Sequence, residues 1–181
     1  MSADELQELQ ENAEHAHHNP SMAPVSLTMA VLAVLVAVAA LLGHRAHTEE
    51  VVQQAKASDK WAYYQAKNIR EHEDELFSGM AAVVSSGDAA AASKFKEKYE
   101  QEAERYKQDK EKIQEEAREL DREVAFEGRR ADRYDLAEVF LEIGLVITSI
   151  TLLSGRRLFW YVGIVVAVVG VAVAVTGAMV H

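Results

Sequence analysis

The stretch NPSMAPVSLTMAVLAVLVAVAALLG, residues 19–43, contains no charged residue and decides the class of fold. The hydrocarbon core of a bilayer is about 30 Å thick, and about 20 apolar helical residues cross it. A second uncharged stretch covers residues 158–180, and a third apolar run, residues 136–154, is charged only at Glu138 and Glu142. The sequence therefore predicts three transmembrane helices, at residues 23–43, 136–154 and 158–180.

The rest of the chain is polar and acidic. The protein has 181 residues, a formal net charge of −10 and no cysteine. The lack of cysteine excludes disulfides, thiolate metal ligands and cysteine nucleophiles. The negative charge and the absence of a basic patch argue against a nucleic-acid partner.

Residues 1–22 form an acidic polar tail, for which we expect either disorder or a short helix. This tail contains His15, His17 and His18, which could bind a divalent cation weakly. A specific metal site needs ligands held in a fixed geometry. We therefore predict no metal site and no cofactor.

Residues 44–135 have the composition of a long helical hairpin. Helix-favouring residues dominate both halves, and the sequence SSGD at residues 85–88 is a turn signal. On each arm, chosen positions recur by threes and fours, which is the period of a left-handed coiled coil. The first-arm series comprises Val51, Ala55, Ser58, Ala62, Gln65, Ile69, His72, Leu76, Gly79 and Val83. The second-arm series comprises Ala92, Phe95, Tyr99, Ala103, Tyr106, Lys110, Ile113, Ala117, Leu120, Val124, Glu127, Ala131 and Tyr134.

We expect the two series to face each other across an antiparallel hairpin. Folding the chain about Gly87 brings Ala62 to Ile113 and Leu76 to Tyr99, so that small first-arm residues meet large second-arm residues and fill space. The predicted fold class is all-α, with three transmembrane helices plus a long antiparallel coiled-coil helical hairpin that forms a stalk.

Three aromatic residues lie in the first arm, within the stretch DKWAYYQAK at residues 59–67. With about 100° of rotation per residue, Trp61 and Tyr64 flank the predicted seam and Tyr63 points nearly opposite. One partner helix cannot cover all three, and exposed apolar patches mark interfaces. We therefore predict that Trp61, Tyr63, Tyr64 and Gln65 contact other copies of the protein. Packing within one chain and a small-ligand site are the alternatives.

The longer motif ASDKWAYYQAKNIREH, residues 57–72, carries a family resemblance. Together with the preceding membrane helix, the charged helical region and a final pair of spans joined by a basic turn, it resembles the bacterial membrane-protein family named domain of unknown function 4337. The resemblance covers residues 23–180, and this motif is its specific part. It implies a bacterial membrane protein and brings no activity, cofactor or catalytic residue.

Small residues recur at every third or fourth position of the third predicted span. Gly163, Ala167, Gly170, Ala174 and Gly177 share one face of that helix. Small side chains let two helix backbones approach closely. We predict that this stripe packs against another helix and not against lipid.

Glu138 and Glu142 share one face of the second predicted span, because they lie one helical turn apart. Carboxylates inside a bilayer are costly and frequently functional. Glu138 is near enough to the membrane surface to reach water, and Arg45 is its candidate ion-pair partner. Glu142 is deeper, and no Lys or Arg lies in any predicted span. It either contacts another helix through a polar group or lines a hydrated path.

The sequence contains no catalytic constellation, so we expect no enzyme. We expect an integral membrane protein that self-assembles through its stalk and its small-residue membrane helices and acts as a scaffold or accessory subunit. Its partners would be the lipid bilayer, further copies of itself and another membrane protein. The alternative is a small oligomer that conducts protons or cations through Glu142.

The short loop containing Arg156 and Arg157 gives the orientation signal, because Lys and Arg in short loops favour the cytoplasmic side. This signal predicts a periplasmic stalk on the bacterial inner membrane. Arg129 and Arg130, which flank a span on the stalk side, favour the opposite orientation.

Overall fold

A computed structural model describes residues 22–84 and 88–179, and every regular element in those ranges is a helix. Helix α1 covers Ala23–Gly79, α2 covers Ala81–Val84, α3 covers Ala89–Ser154 and α4 covers Arg157–Ala178. Helices α1, α3 and α4 are each long and apolar enough to cross a membrane. The predicted all-α class with three spanning helices is confirmed. The predicted tail before Met22 and the predicted turn before Asp88 lie outside the described residues.

Two local signals set the ends of α3. The Asp88 carboxylate accepts hydrogen bonds from the backbone N–H groups of Ala90 and Ala91 at 3.0 and 3.1 Å. These bonds satisfy two donors that a helix start leaves unpaired. At the other end, Gly155 has a φ of 66°, a left-handed conformation that glycine adopts without steric cost. The chain can therefore turn from α3 into α4 over Gly155 and Arg156.

The chain divides into two compact units. The hairpin unit is Glu50–Ala125, and the span unit combines Met1–Glu49 with Phe126–His181. The structure describes residues 22–49 and 126–179 of the span unit. Residues 44–49 and 126–135, which the sequence assigns to the stalk, thus make their contacts within the span unit.

In the span unit, α1, α3 and α4 pack around two apolar clusters. The first cluster draws residues from all three helices: Leu32, Val36, Ala39, Leu141 and Ala167. The second cluster contains Ala46, Ala131 and Tyr134, with Leu42 and Ala174 packed against it. The three apolar helices therefore have a common interior.

In the hairpin unit, the arms of α1 and α3 run antiparallel, as predicted. The rings of Phe77 and Tyr99 lie 5.2 Å apart between centroids, and Lys60 Nζ lies 2.6 Å from Glu116 Oε2. The second-arm series is confirmed between residues 92 and 124, where every member is buried or half-buried. Ala117 is fully enclosed.

The prediction for the first arm is wrong, because its series faces away from α3. All ten members are exposed, and Val51, Ile69, Leu76 and Val83 are 68%, 58%, 68% and 77% exposed. We call this series of ten residues the outer seam. The residues that face α3 lie two positions further along: Gln53, Ala57, Lys60, Tyr64, Lys67, Glu71, Asp74, Ser78 and Ala81. Two positions correspond to a rotation of about 200°, nearly the opposite side of the helix.

Ion pairs join the face of α1 that packs on α3 to charged residues of α3. Lys67 Nζ lies 2.8 Å from Asp109 Oδ2, and Lys110 pairs with Glu71, which is only 5% exposed. A charge that is buried without a partner is strongly destabilising. The polar face of α1 supplies these partners to α3, whereas the outer seam contains no Lys, Asp or Glu.

Candidate interaction surfaces

The structure separates the aromatic residues of the DKWAYYQAK stretch. Trp61 Nε1 donates a hydrogen bond to Asp121 Oδ2 at 3.0 Å, and the Trp61 and Tyr64 rings meet edge to face at 5.6 Å. Tyr63 is half exposed, with Lys67 Nζ 5.5 Å from its ring centroid, and Gln65 is exposed. Trp61 and Tyr64 thus pack within the hairpin. The contact of these four residues with other copies stays a prediction.

A group of charged side chains joins the two arms at the level of Lys67 and Lys110. The hydrogen bond between Lys67 and Asp109 raises the pKa of the lysine and lowers the pKa of the carboxyl. A hydrogen bond to Glu71 likewise raises the pKa of Lys110, and Lys110 also donates to Asn68 Oδ1 at 2.9 Å. These partners are fixed in both arms. The group therefore favours one register of the hairpin.

Sequence reasoning placed Lys110 in the second-arm series but missed the α1 members of this group, Lys67 and Glu71, because it assigned the opposite face of α1 to the interface. The spacing of buried residues along α1 indicates which face of the helix meets α3. The buried α1 residues Val25, Met29, Leu32, Val36 and Ala39 of the span unit repeat by fours and threes. Continuing that count along the sequence reaches the α3-facing positions of the hairpin unit, such as Ala57 and Tyr64.

The small-residue stripe of α4 lies against α3 within the same chain. A Cβ atom added to Gly163 would collide with Thr148 Oγ1 and lie 2.7 Å from the carbonyl oxygen of Gly144. Gly144 is itself close to α4, because its added Cβ would lie 2.9 Å from the carbonyl oxygen of Gly163. Sequence reasoning missed Gly144. The Thr148 hydroxyl, one turn later, donates to the carbonyl oxygen of Gly144 at 2.7 Å.

The remaining stripe residues follow the same pattern. A Cβ at Gly170 would lie 3.0 Å from Leu141 Cγ, and a Cβ at Gly177 would lie 3.0 Å from Arg133 Cβ. Ala167 is 4% exposed in the first apolar cluster, and Ala174 packs against the second. The stripe is therefore occupied by the chain's own helices.

The two carboxylates of the second span differ in their surroundings. Glu138 is half-buried, and Glu142 is exposed on the surface of the span unit. Within the described part of the chain, Glu138 does not form the expected ion pair with Arg45. His47 Nε2 instead lies 2.9 Å from Asp135 Oδ2 near the end of the first span. Glu142 forms no side-chain hydrogen bond or ion pair with any described residue.

The described residues contain no group of three or more His, Asp or Glu side chains that could hold a metal ion. Two predicted positions are exposed in the described residues: the outer seam of the hairpin unit and Glu142 of the span unit.

Comparison with known proteins places the chain in a family. No curated protein and no solved structure matches it. The family model described as Domain of unknown function (DUF4337) matches residues 21–180, which include the DKWAYYQAK stretch, the hairpin and all three apolar helices. The chain therefore belongs to the DUF4337 family.

Proposed function

We propose that this protein is a non-enzymatic membrane protein that self-assembles and serves as a scaffold or accessory subunit of a membrane complex. It lies in the bacterial inner membrane, with the hairpin on the periplasmic side. Its partners are lipid, further copies of itself and another membrane protein of that complex.

The observation that carries this proposal is the exposed carboxyl of Glu142. It projects from the surface of the span unit, in a helix that is apolar enough to cross a membrane. A carboxylate facing lipid costs several kcal/mol (on the order of 3). Contact with a second protein chain replaces lipid at this position and offers a polar partner. Polar groups join membrane helices in this way.

A second candidate function follows from the same side chain. Glu138 lies one turn away on the same face and is only half-buried. Two carboxyls on one face of neighbouring copies would line a hydrated path for protons or cations. This alternative differs from a scaffold in one measurable property, ion flux.

The test compares Glu142→Gln with Glu142→Leu in the full-length protein. Gln keeps the size and hydrogen-bonding capacity of a neutral carboxyl, so we expect the native mass and melting temperature to be retained. Leu removes the polar contact, so we expect a lower assembly state or a lower melting temperature. The measurements are light scattering in detergent and circular dichroism. Val165→Leu is the matched control, because Val165 is also exposed on the span unit.

Ion flux in reconstituted vesicles separates the two functions. A scaffold gives no proton or cation flux above that of empty vesicles. Flux by the wild type that is lost in Glu142→Gln would replace the scaffold with the conducting oligomer. A monomeric wild type would contradict self-assembly itself.

A further inference from the structure

We propose that the outer seam of α1 docks a second copy of this protein, forming a parallel two-stranded coiled coil in which each residue meets its own counterpart. This inference rests on the self-assembly proposed above and names the surface in the hairpin unit that carries it. It uses residues other than Glu142, so the two can fail separately.

The outer seam has the spacing of a coiled-coil seam, and the described part of the chain buries none of its ten residues. Its ten positions alternate by fours and threes from Val51 to Val83. The four large aliphatic members are 58–77% exposed, and neighbouring Phe77 and Met80 are 45% and 49% exposed. Exposed apolar side chains grouped on one face, as Ile69, Leu76 and Val83 are, frequently mark interaction sites. α1 thus carries a second seam, opposite to the one that packs on α3.

The spacing of the seam residues indicates which kind of element packs against them. Eight of the ten seam residues are apolar or small, and such residues at this period over four heptads indicate a helix lying alongside α1. From Val51 to Val83 the seam is about 48 Å long at about 1.5 Å per residue. The occupant must therefore be a helix of comparable length, and α1 of a second copy has that length by construction.

Residues flanking the seam favour a parallel second copy. The seam alternates between a and d positions of a heptad, with Ala55 and Ile69 at a. In a parallel pair, the residue before each a position (a g position) faces the e position five residues later in the other chain. This rule pairs Gln54 with Asp59 of the second copy and Asn68 with Glu73 of the second copy. Asn68 accepts a hydrogen bond from Lys110 through Oδ1. Its amide N–H groups are therefore the ones that donate to Glu73 of the second copy. Asp59 and Glu73 of the second copy thereby face amide donors, whereas Glu75 faces Met80 of the second copy.

An antiparallel pair of equal length is disfavoured by charge. It would place Val51 against Val83 of the second copy and, beside the seam, Asp59 against Glu73 of the second copy. Like charges across an interface are destabilising. The two-fold symmetry of the pair would create this repulsion twice.

Membrane insertion favours the same direction. α1 is one continuous helix whose first part is apolar enough to cross a membrane. Copies inserted the same way into one bilayer begin their first arms on the same side of the membrane, which favours a parallel pair. Confinement also raises their effective concentration, which offsets the cost of the polar seam residues Gln65 and His72.

The natural absence of cysteine allows a direct test in membranes. Ile69→Cys places a thiol in the seam, and Lys56→Cys places one on an exposed position beside it. In a parallel pair, Ile69→Cys should form a disulfide-linked dimer rapidly under a mild oxidant, because the identical residues meet. Lys56→Cys should form little. Dimer yield is read on a non-reducing gel of the full-length protein.

Three results would overturn the proposal. If the wild type is monomeric, the proposed self-assembly and this interface both fail. If the wild type is oligomeric but Ile69→Cys cross-links no faster than Lys56→Cys, self-assembly stands and this surface is wrong. If Ile69→Cys links only to coexpressed Gln65→Cys, the pairing is antiparallel.

A charge insertion gives an independent readout. Ile69→Glu with Leu76→Glu should shift the mass by light scattering towards the monomer and leave helical content unchanged, because both side chains are exposed in the single chain. The matched control is Gln101→Glu with Gln108→Glu, which adds the same charge at the same spacing on the exposed side of α3. Equal masses for the two double variants would contradict the proposal.

Discussion

At the scale of single residues, the packing of α3 against α4 in the span unit depends on glycines. Gly144 and Gly163 lie so close that each would place a Cβ within 3 Å of the other's carbonyl oxygen. Gly170 is similarly tight, since its Cβ would lie 3.0–3.1 Å from atoms of Ala137, Phe140 and Leu141. Any branched side chain at these sites must separate α3 from α4, and van der Waals packing is what holds helices together in a bilayer.

Gly170→Leu is therefore expected to destabilise the span unit. Overpacking of this kind costs about 1–3 kcal/mol, and each kcal/mol lowers the melting temperature by roughly 2–4 °C in a protein of this size. Circular dichroism in detergent measures the shift. Val169→Leu is the control, because Val169 is 43% exposed. Equal melting temperatures for the two variants would mean that α4 can move away from α3 at no cost.

At the scale of elements, the hairpin joins its arms with charges and aromatic rings as much as with aliphatic side chains. Lys60, Lys67 and Glu71 of α1 each pair with an opposite charge on α3. The two partly exposed pairs, Lys60–Glu116 and Lys67–Asp109, contribute little net energy. Together with the more buried Glu71–Lys110 pair, they distinguish one face of α1 from the other. The arm thus keeps its polar face inside and its apolar outer seam available.

The Lys67–Asp109 pair predicts an acid sensitivity of the hairpin. Because the pKa of Asp109 is lowered in the folded state by the hydrogen bond from Lys67, the pair stabilises the hairpin above the ordinary Asp pKa of about 3.9. That stabilisation is lost as the pH falls through the lowered pKa. Asp109→Asn should unfold more easily at neutral pH and lose less stability on acidification.

Trp61 fluorescence in a Trp160→Phe background measures this change, because Trp61 lies in the hairpin and hydrogen-bonds to Asp121. Glu111→Gln, at an exposed position of the same arm, controls for the loss of one negative charge. An acid unfolding curve of Asp109→Asn that parallels those of the wild type and this control would show that the pair does not contribute.

At the scale of the whole molecule, the proposed membrane topology rests on the number of helices that could span a bilayer, which is three. If all three cross, the start of α1 and the α3–α4 connection share one side of the membrane. Arg156 and Arg157 lie in that short connection, and positive charge in short loops favours the cytoplasm.

Cysteine labelling tests this topology without interference from native thiols. A membrane-impermeant maleimide added to intact cells should label Gln108→Cys in the hairpin. It should label Arg156→Cys only after permeabilisation. The reverse pattern would put the hairpin in the cytoplasm and show that Arg129 and Arg130 outweigh the short loop.

The sequence alone determined the three apolar helices, the antiparallel hairpin and the α3 seam. Span length, hydrophobicity and the turn at residues 85–88 are local properties, and α3 has one dominant face with the required period. The sequence also identified the stripe through Gly163 and Gly177, because small residues at helical spacing are visible without a partner.

Only the tertiary structure decided which face of α1 meets α3. Both faces of α1 repeat by threes and fours, so periodicity cannot choose between them, and the more apolar series was the wrong one. The choice involves charges such as Asp109 and Lys110, which come from a distant part of the chain. Likewise, the contact of Trp61 with Asp121 and of Gly144 with Gly163 exists only once two helices are side by side. Contact between residues far apart in the sequence is a property of two elements together, and for this reason neither sequence stretch reveals it alone.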